Sequence, residues 1–258
     1  MGVEKNENPS QDGVMLVTVL SVAFNSAATI ARTIESVLNQ TYPNIEYIIV
    51  DGASKDNTVE VAESYRAQFE AREGRTLRII SEPDKGMYDA LNKGARAANG
   101  VLVGSVNTDD YYEPTAVEDM VNFYHKTHYD VAWADIIIHK PTGDFRKRAK
   151  IGKLWTSIGF CHPSMFATKE ILMEYPYACI NMYDDFEFAT RVYLAGKKVL
   201  TTNALVSNFN FGGMSTTKNF KNMLKRIQIK YSIYKRHKMS PLYWFYCAAV
   251  EFAKFILA

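Results

Sequence analysis

Two pairs of adjacent carboxylates, Asp109-Asp110 and Asp184-Asp185, lead the residues able to do chemistry in this 258-residue chain. A carboxylate pair at the end of a buried strand can offer hard oxygen ligands to a divalent cation. It can equally cap the helix that follows, and residue type alone leaves both open. Asp184-Asp185 opens the stretch DDFEFATRVYLAG, where acids in a first helical turn also complement the dipole. His162, in CHPSMF, is either a site residue or a satisfied core histidine. His125 and His128, spaced i, i+3 without a carboxylate pattern, read as a solvated face, and Trp133, Trp155 and Trp244 read as core or interface anchors, Trp155 being the one to watch for a role in a site.

The elements that must position these groups follow from hydrophobic periodicity. Val17–Ala23 (VTVLSVA) is an apolar, β-branched run, as expected of a buried parallel strand. Ser26 then suits an N-cap for a helix carrying Ile30, Ile34, Val37 and Leu38 on one face. A second strand, 46–51, ends at Asp51-Gly52, and one helix is expected from Val59 to Phe69. A third strand, 77–81, leads to Asp84-Lys85-Gly86, and a small-residue helix follows from Met87 to about Asn99, closed by Gly100. A fourth strand, 101–106, runs into Asn107-Thr108-Asp109-Asp110. Strands alternating with amphipathic helices predict an α/β chain: a mostly parallel sheet flanked by helices. Ligands of such sheets sit beyond the carboxyl ends of the strands, so these strand ends gather at one rim. There is no GxGxxG and no GxxxxGK[ST], nor the glycine-rich first loop of a nucleotidyltransferase. What remains is a nucleotide bound by carboxylates and a metal.

Composition sets the outer bounds. Hydrophobic residues make up 47% and charged residues 22%, which excludes a disordered or collagen-like chain. No run reaches the roughly 18–20 apolar residues of a spanning helix. Cys161, Cys179 and Cys247 are widely spaced with no CxxC pair and read as reduced thiols of a cytosolic chain. The overall charge of +2 hides an asymmetry: from Lys218 onward nine basic residues face the single acid Glu251, and positions 1–217 carry a net −6. Residues 1–14 read as a disordered leader, 15–216 as the body and 217–258 as a basic, aromatic tail of amphipathic helices. Phe220, Met223, Leu224, Ile227, Tyr231 and Tyr234 form one side of the first tail helix, and Pro241 breaks it before LYWFYCAAV. Such a tail suits a membrane surface; packing on the body or on a second subunit is the alternative. Nucleic acid is excluded because no reading motif accompanies the charge.

Several stretches together resemble glycosyltransferase family 2, enzymes of the GT-A fold. They are VTVLSVAFNSAATIARTIESVLNQTYPNIEYIIVDGASKDNT, EPDKGMYDALNKGARAANG, the TDD after the fourth strand, CHPSMF, DDFEFATRVYLAGK and FGGMS. They stand in the family's order over roughly residues 15–215, and the QxxRW signature of its processive synthases is missing. The resemblance implies a GT-A (Rossmann-like) domain whose nucleotide-binding half is 15–110 and whose acceptor-side half is 111–216. It implies an inverting, metal-dependent hexosyl- or N-acetylhexosaminyl-transferase of the bacterial type that builds surface polysaccharides. UDP is the favoured donor nucleotide, and Mn²⁺ or Mg²⁺ the cofactor. The acceptor would be a saccharide on a polyprenyl diphosphate, met by a peripheral protein at the cytoplasmic face of the membrane.

Carried over by position, Asp109 and Asp110 match the metal-binding acidic motif, with Asn107 standing where its first aspartate is usual. Ala23, Phe24, Asn25 and Asp51 match the base and ribose pocket, and Lys85, Gly86 and Asp89 the phosphate side together with Asp109. Asp185 matches the catalytic base, while Asn107, His162, Asp184 and Arg191 are donor or acceptor contacts. Pro163 follows His162 where glutamine is common, and Asp184 stands where glutamate is. The alternatives are a catalytically decayed, membrane-associated scaffold of the same fold and a nucleotidyltransferase.

Overall fold

A computed structural model describes residues 14–160, 162–210 and 219–257. The leader and the FGGMS stretch lie outside the described residues, apart from the leader's last residue. The sheet begins with β1 (Val17–Ala23), β2 (Ile45–Asp51), β3 (Arg75–Ser81) and β4 (Leu102–Ser105), in the order β3-β2-β1-β4 and all parallel. Between them run α1 (Ile30–Leu38), two short helices α2 (Thr58–Glu63) and α3 (Arg66–Glu70), and α4 (Met87–Ala97). β1 and β2 are almost wholly buried because helices cover both faces, which is why their sequences are continuous apolar runs. Alternation still divides them: Tyr47 and Ile49 join Ile30, Ile34 and Val37 of α1 in one core, while Ile48 and Val50 join Leu91 and Ala95 of α4 in the other.

Three details differ from the expectation. Ser26 is not the N-cap of α1; its carbonyl accepts from the Thr29 and Ile30 amides in a preceding turn, and the helix starts at Ile30. The single helix from Val59 to Phe69 is broken after Glu63, where the Ser64 hydroxyl turns back to the Val61 carbonyl. Gly100 does not close α4, which ends at Ala97. A β-carbon at Gly100 would lie 2.4 Å from the Thr18 amide nitrogen, so glycine is needed there for close approach of two backbones.

The second half turns the sheet from parallel to mixed. After β5 (Tyr111–Tyr112), α5 (Ala116–Thr127) and β6 (Val131–His139), a hairpin adds β7 (Phe145–Lys147). β8 (Phe166–Thr168) pairs antiparallel with both β4 and β6, and the 12-residue β9 (Val199–Asn210) runs parallel to β6. Two register shifts between β6 and β9 flank Asp135. That carboxylate is fully buried, accepting from Arg146 Nε at 2.9 Å and from the Ala149 amide at 2.8 Å. Arg146 is therefore the counter-ion that allows Asp135 inside.

Helices α6 (Lys169–Glu174) and α7 (Asp184–Leu194) precede and flank β9, and the chain continues into α8 (Phe220–Arg236) and α9 (Tyr243–Leu257). This tail folds onto the body. Met223, Ile227, Ile233, Tyr234 and Cys247 share a core with Trp155 and Phe186, and the Tyr234 hydroxyl donates to the Trp155 carbonyl at 3.1 Å. Trp155 stacks on Tyr193 at 4.0 Å and donates its indole N–H to Thr190, so it is a packing anchor and no sugar platform. The expected apolar stripe of α8 is split, because Phe220 and Leu224 are exposed while Met223, Ile227 and Tyr234 are buried. Phe252 and Ile256 of α9 are exposed as well. No helix among the described residues is long and apolar enough to cross a membrane.

The one acid of the tail, Glu251, is its electrostatic centre. It is fully buried and accepts from Arg226 at 2.7 Å and from the buried Lys230, with Lys254 at 3.6 Å. Burial pushes its pKa up, but the charges of Lys230, Lys254 and Arg226 prevail and hold it below the usual 4.5. Replacing Glu251 by Ala strands two enclosed cations and should cost about 3–5 kcal/mol in a denaturant titration. In the wild type, this contribution is full above pH 4.5 and is lost as the pH falls through the lower folded-state pKa. The stability gap between the two proteins should therefore be constant from pH 7 to about 5 and narrow in stronger acid.

Candidate active site

Register fixes where the strand ends lie: Ala23 pairs with Asp51, and Asp51 with Ser81, so three strands stop level with one another. The loops after β1 and β2 are laced together there. Asn25, in the left-handed region with φ 50°, donates its amide to Ser54 Oγ and accepts from the Lys55 amide, both at 2.8 Å. Ala23 is buried, whereas the Phe24 ring is exposed on the rim. Asp51 does not face open space. It is fully buried, and its oxygens accept from the Ser54 amide and hydroxyl and from Ser81 Oγ. These bonds make Asp51 a group that sets the turn after β2.

A cavity of about 820 Å³ opens beside this rim. Lys85, Gly86 and Asp89 line it at the start of α4. Gly86 has φ 111°, a conformation that favours glycine, and a β-carbon there would meet open space. Its amide donates to Asp84 at 2.7 Å, and the Lys85 amide donates to Asp89 at 3.0 Å. Asp89 thus spends one oxygen capping the helix that the loop enters. Asn92 and Gly94 are structural: Asn92 exchanges two hydrogen bonds with Tyr177, and Gly94 lets α4 approach Leu20 and Val50 of the sheet.

The first acidic pair divides. Asp109 is exposed, lines the cavity with Asn107, and has no hydrogen bond or ion pair on its carboxylate among the described residues. Asp110 is buried, accepting from the Asn210 amide at 3.1 Å and weakly from Asn107 Nδ2 at 3.4 Å. Burial and the neighbouring Asp109 charge push its pKa up to about 7. Asp110 therefore ties the turn to the end of β9, and Asp109 is the carboxylate of the pair that is exposed at the cavity. Among the described residues no group of three or more His, Cys, Asp or Glu side chains is gathered. The oxygen-only set of Asp109 and Asn107 suits a hard cation whose other ligands come with an anionic substrate and water.

The second pair divides in the same way. Asp184 is fully buried and accepts from the Ile180 and Asn181 amides at 2.6 and 3.2 Å, closing the turn that begins α7. Asp185 lines the cavity. Its Oδ1 accepts from the Phe186 amide at 2.8 Å and from the Tyr88 hydroxyl at 3.3 Å, and Oδ2 makes no hydrogen bond among the described residues. Tyr88 also reaches the Met182 carbonyl, and burial followed by the Asp185 charge raises its pKa far above the usual range.

His162 lines the same cavity, its ring edge-on to Tyr88 and Tyr177. Its two ring nitrogens are shielded and lack hydrogen-bond partners among the described residues. Burial lowers its pKa against the upward pull of Asp185, which keeps it neutral at pH 7. Arg191, expected as a contact, is not among the described residues that line the cavity; it is bound to Glu187 at 2.8 Å and to the Pro176 carbonyl.

Sequence reasoning missed Tyr88 and the cations at the tail end of the cavity. Tyr88 is one of several buried residues on α4, and nothing in its type or spacing marks it as the partner of a residue 97 positions away. Lys230 and Lys254 read as the polar side of an amphipathic helix until the packing of α8 and α9 is known.

Comparison with known proteins places the chain among glycosyltransferases of one fold. The PGL/p-HBAD biosynthesis glycosyltransferase of Mycobacterium bovis is 26% identical over 225 residues, covering 82% of this chain and 84% of that protein. Chondroitin synthase of Escherichia coli is 33% identical over 123 residues, 48% of this chain but only 17% of that protein's length. Among solved structures, Staphylococcus aureus TarS residues 1–349 in complex with UDP-GlcNAc superposes with a TM-score of 0.69 at 16% identity, over 93% of this chain and 72% of that one. The mannosyltransferase PcManGT of Pyrobaculum calidifontis, in complex with GDP-Man and Mn²⁺, gives 0.62 at 17% identity, over 95% and 76%. These likenesses support the GT-A fold. The profile of glycosyl transferase family 2 matches residues 18–186, and the chain belongs to that family.

Proposed function

We propose that this glycosyltransferase moves a sugar from a nucleotide sugar, UDP-linked by preference, to a hydroxyl of a lipid-linked saccharide, with inversion at the anomeric carbon. The observation that carries the reading is that Asp109 and Asp185 line one cavity, Asp185 with an Oδ2 that makes no hydrogen bond among the described residues. The nucleotide would lie against the rim formed by Phe24 and Asn25, with the loop at Lys85 and Gly86 along its diphosphate and the N-terminus of α4 favouring the anion. A divalent cation, Mn²⁺ or Mg²⁺, would be held by Asp109 with Asn107 and would neutralise charge on the departing diphosphate.

Asp185 then acts as base. Its Oδ1 is fixed by the Phe186 amide and Tyr88, so Oδ2 takes the proton of the acceptor hydroxyl. The acceptor oxygen bonds to the anomeric carbon from the face opposite the diphosphate. The bond to the phosphate oxygen breaks, and its electron pair leaves with the nucleoside diphosphate. Neutral His162, next to Asp185, adds no competing positive charge at this point. The polyprenyl-diphosphate acceptor, the synthesis of bacterial surface polysaccharide and a peripheral position at the cytoplasmic membrane face belong to the same proposal. Its support is the exposed apolar set of Phe220 and Leu224 on the lysine-rich α8 and Phe252 and Ile256 on α9.

The test is release of nucleoside diphosphate from UDP-, GDP- and dTDP-sugars with Mn²⁺ or Mg²⁺ and with EDTA. One donor should turn over and EDTA should stop it; release of pyrophosphate would mark a nucleotidyltransferase instead. Asp185→Asn should lower transfer by about 10²–10⁴-fold and leave nucleotide affinity unchanged. Loss of both would refute the base assignment. Asp109→Ala should abolish the metal-dependent part of nucleotide binding in calorimetry without lowering the melting temperature, since the side chain is exposed and unpaired. An unchanged titration would remove Asp109 from the metal site.

A further inference from the structure

Five cations from outside the strand-end loops line the cavity: Lys140 after β6, Lys147 on β7, Arg226 and Lys230 on α8, and Lys254 on α9. The strand-end side contributes Lys85 alone. Glu251 is the one acid among the five, and it touches three of them. Lys230 is 3% exposed and Arg226 12%, so both charges are largely withdrawn from water and held in place by Glu251. Positive charge exceeds negative in a concave space of reduced dielectric, and an arriving anion is worth more there than on an open surface. The excess is felt locally. The Lys254 side chain remains 57% exposed, and its partial burial with the charges of Lys230 and Lys147 lowers its pKa from the usual lysine value.

Apolar groups stand beside these cations. Phe145 and Phe255 line the cavity with them, and Lys140 lies 5.1 Å from the centre of the Phe145 ring. Phe220 meets Phe255 edge-on at 6.3 Å, extending the apolar surface onto α8. A nucleoside needs none of this, whereas a phosphate ester on a hydrocarbon chain uses both features at once.

We propose that the β6–β7 hairpin and the α8–α9 pair form a second anion subsite, which holds the phosphate or diphosphate ester of an apolar-chain acceptor while its saccharide reaches Asp185. The subsite rests on the functional reading above for its purpose, but not for its chemistry. Its cations come from elements separate from those that carry the donor-side residues, so donor and acceptor phosphates would be held by different side chains.

The test uses the full chain with saturating UDP and Mn²⁺, and two probes: farnesyl diphosphate below its micellar concentration and inorganic pyrophosphate. The double variant Lys147→Ala/Lys254→Ala is preferred because it spares Arg226 and Lys230, whose loss would strand Glu251. Farnesyl diphosphate should bind the wild type at least tenfold more tightly than pyrophosphate does. The variant should lose at least tenfold of that affinity, keep its melting temperature and hold its UDP affinity within twofold. Equal affinity for the two probes would remove the apolar chain from the proposal. An unaffected variant, or no farnesyl diphosphate binding at all, would overturn the subsite. Parallel loss of UDP binding would assign these cations to the donor and overturn it too. If farnesyl diphosphate binds as expected while no nucleotide binds, the subsite stands and the proposed function fails.

Discussion

The in-register parallel pairing of β1, β2 and β3 is the constraint on which the site depends. Because Ala23, Asp51 and Ser81 sit side by side, every loop that leaves these strands must start from one line. Parallel strands require crossover helices, and those helices bury both faces of the sheet, so the carboxyl ends are where the polar loops collect. The same pairing explains why Asp51 is buried: at the centre of that line its neighbours are strands on either side, and its oxygens serve Ser54 and Ser81. The central carboxylate holds the rim in shape so that residues around it can face a ligand.

Both acidic pairs obey one rule. Neighbouring residues at a turn or helix start point in different directions, so only one of two adjacent carboxylates can enter a given space. Asp110 and Asp184 turn inward and are satisfied by backbone amides, while Asp109 and Asp185 are left to the cavity. The inward members are not spare copies of the outward ones. Asp184 fixes the turn that aims Asp185, and Asp110 joins the fourth strand's exit to the end of β9. Tyr88 completes the arrangement from a separate helix by occupying one oxygen of Asp185 and leaving the other.

The first half of the fold was legible because its signals are local. Buried parallel strands and one-sided helices write their periodicity directly into the sequence, and β1 matches the expected boundaries at both ends. The strand-end location of Lys85, Gly86 and Asp109 followed from the same logic, and all three line the cavity together with Asp185, which only the family resemblance had marked. What was not legible depends on contacts distant in sequence. The fate of Arg146 is decided by Asp135, and that of Trp155 by Thr190 and Tyr193. The tail resembled an amphipathic surface helix because lysines alternate with aromatics, and only its packing shows that Glu251 gathers three of those cations beside the cavity. Periodicity reports which face of a helix is apolar; it does not report whether lipid, another subunit or the chain's own core will cover it.

The central claim is that Asp109 receives the metal and Asp185 the acceptor within one cavity. A crystal structure of the chain with UDP and Mn²⁺, with diffraction recorded at the manganese absorption edge, tests it most directly. The account predicts one anomalous peak at the Asp109 carboxylate, the diphosphate beside Lys85 and Gly86, and Asp185 Oδ2 facing the open space beyond the terminal phosphate. A manganese peak away from Asp109, or a diphosphate seated among Lys147, Lys230 and Lys254, would contradict it.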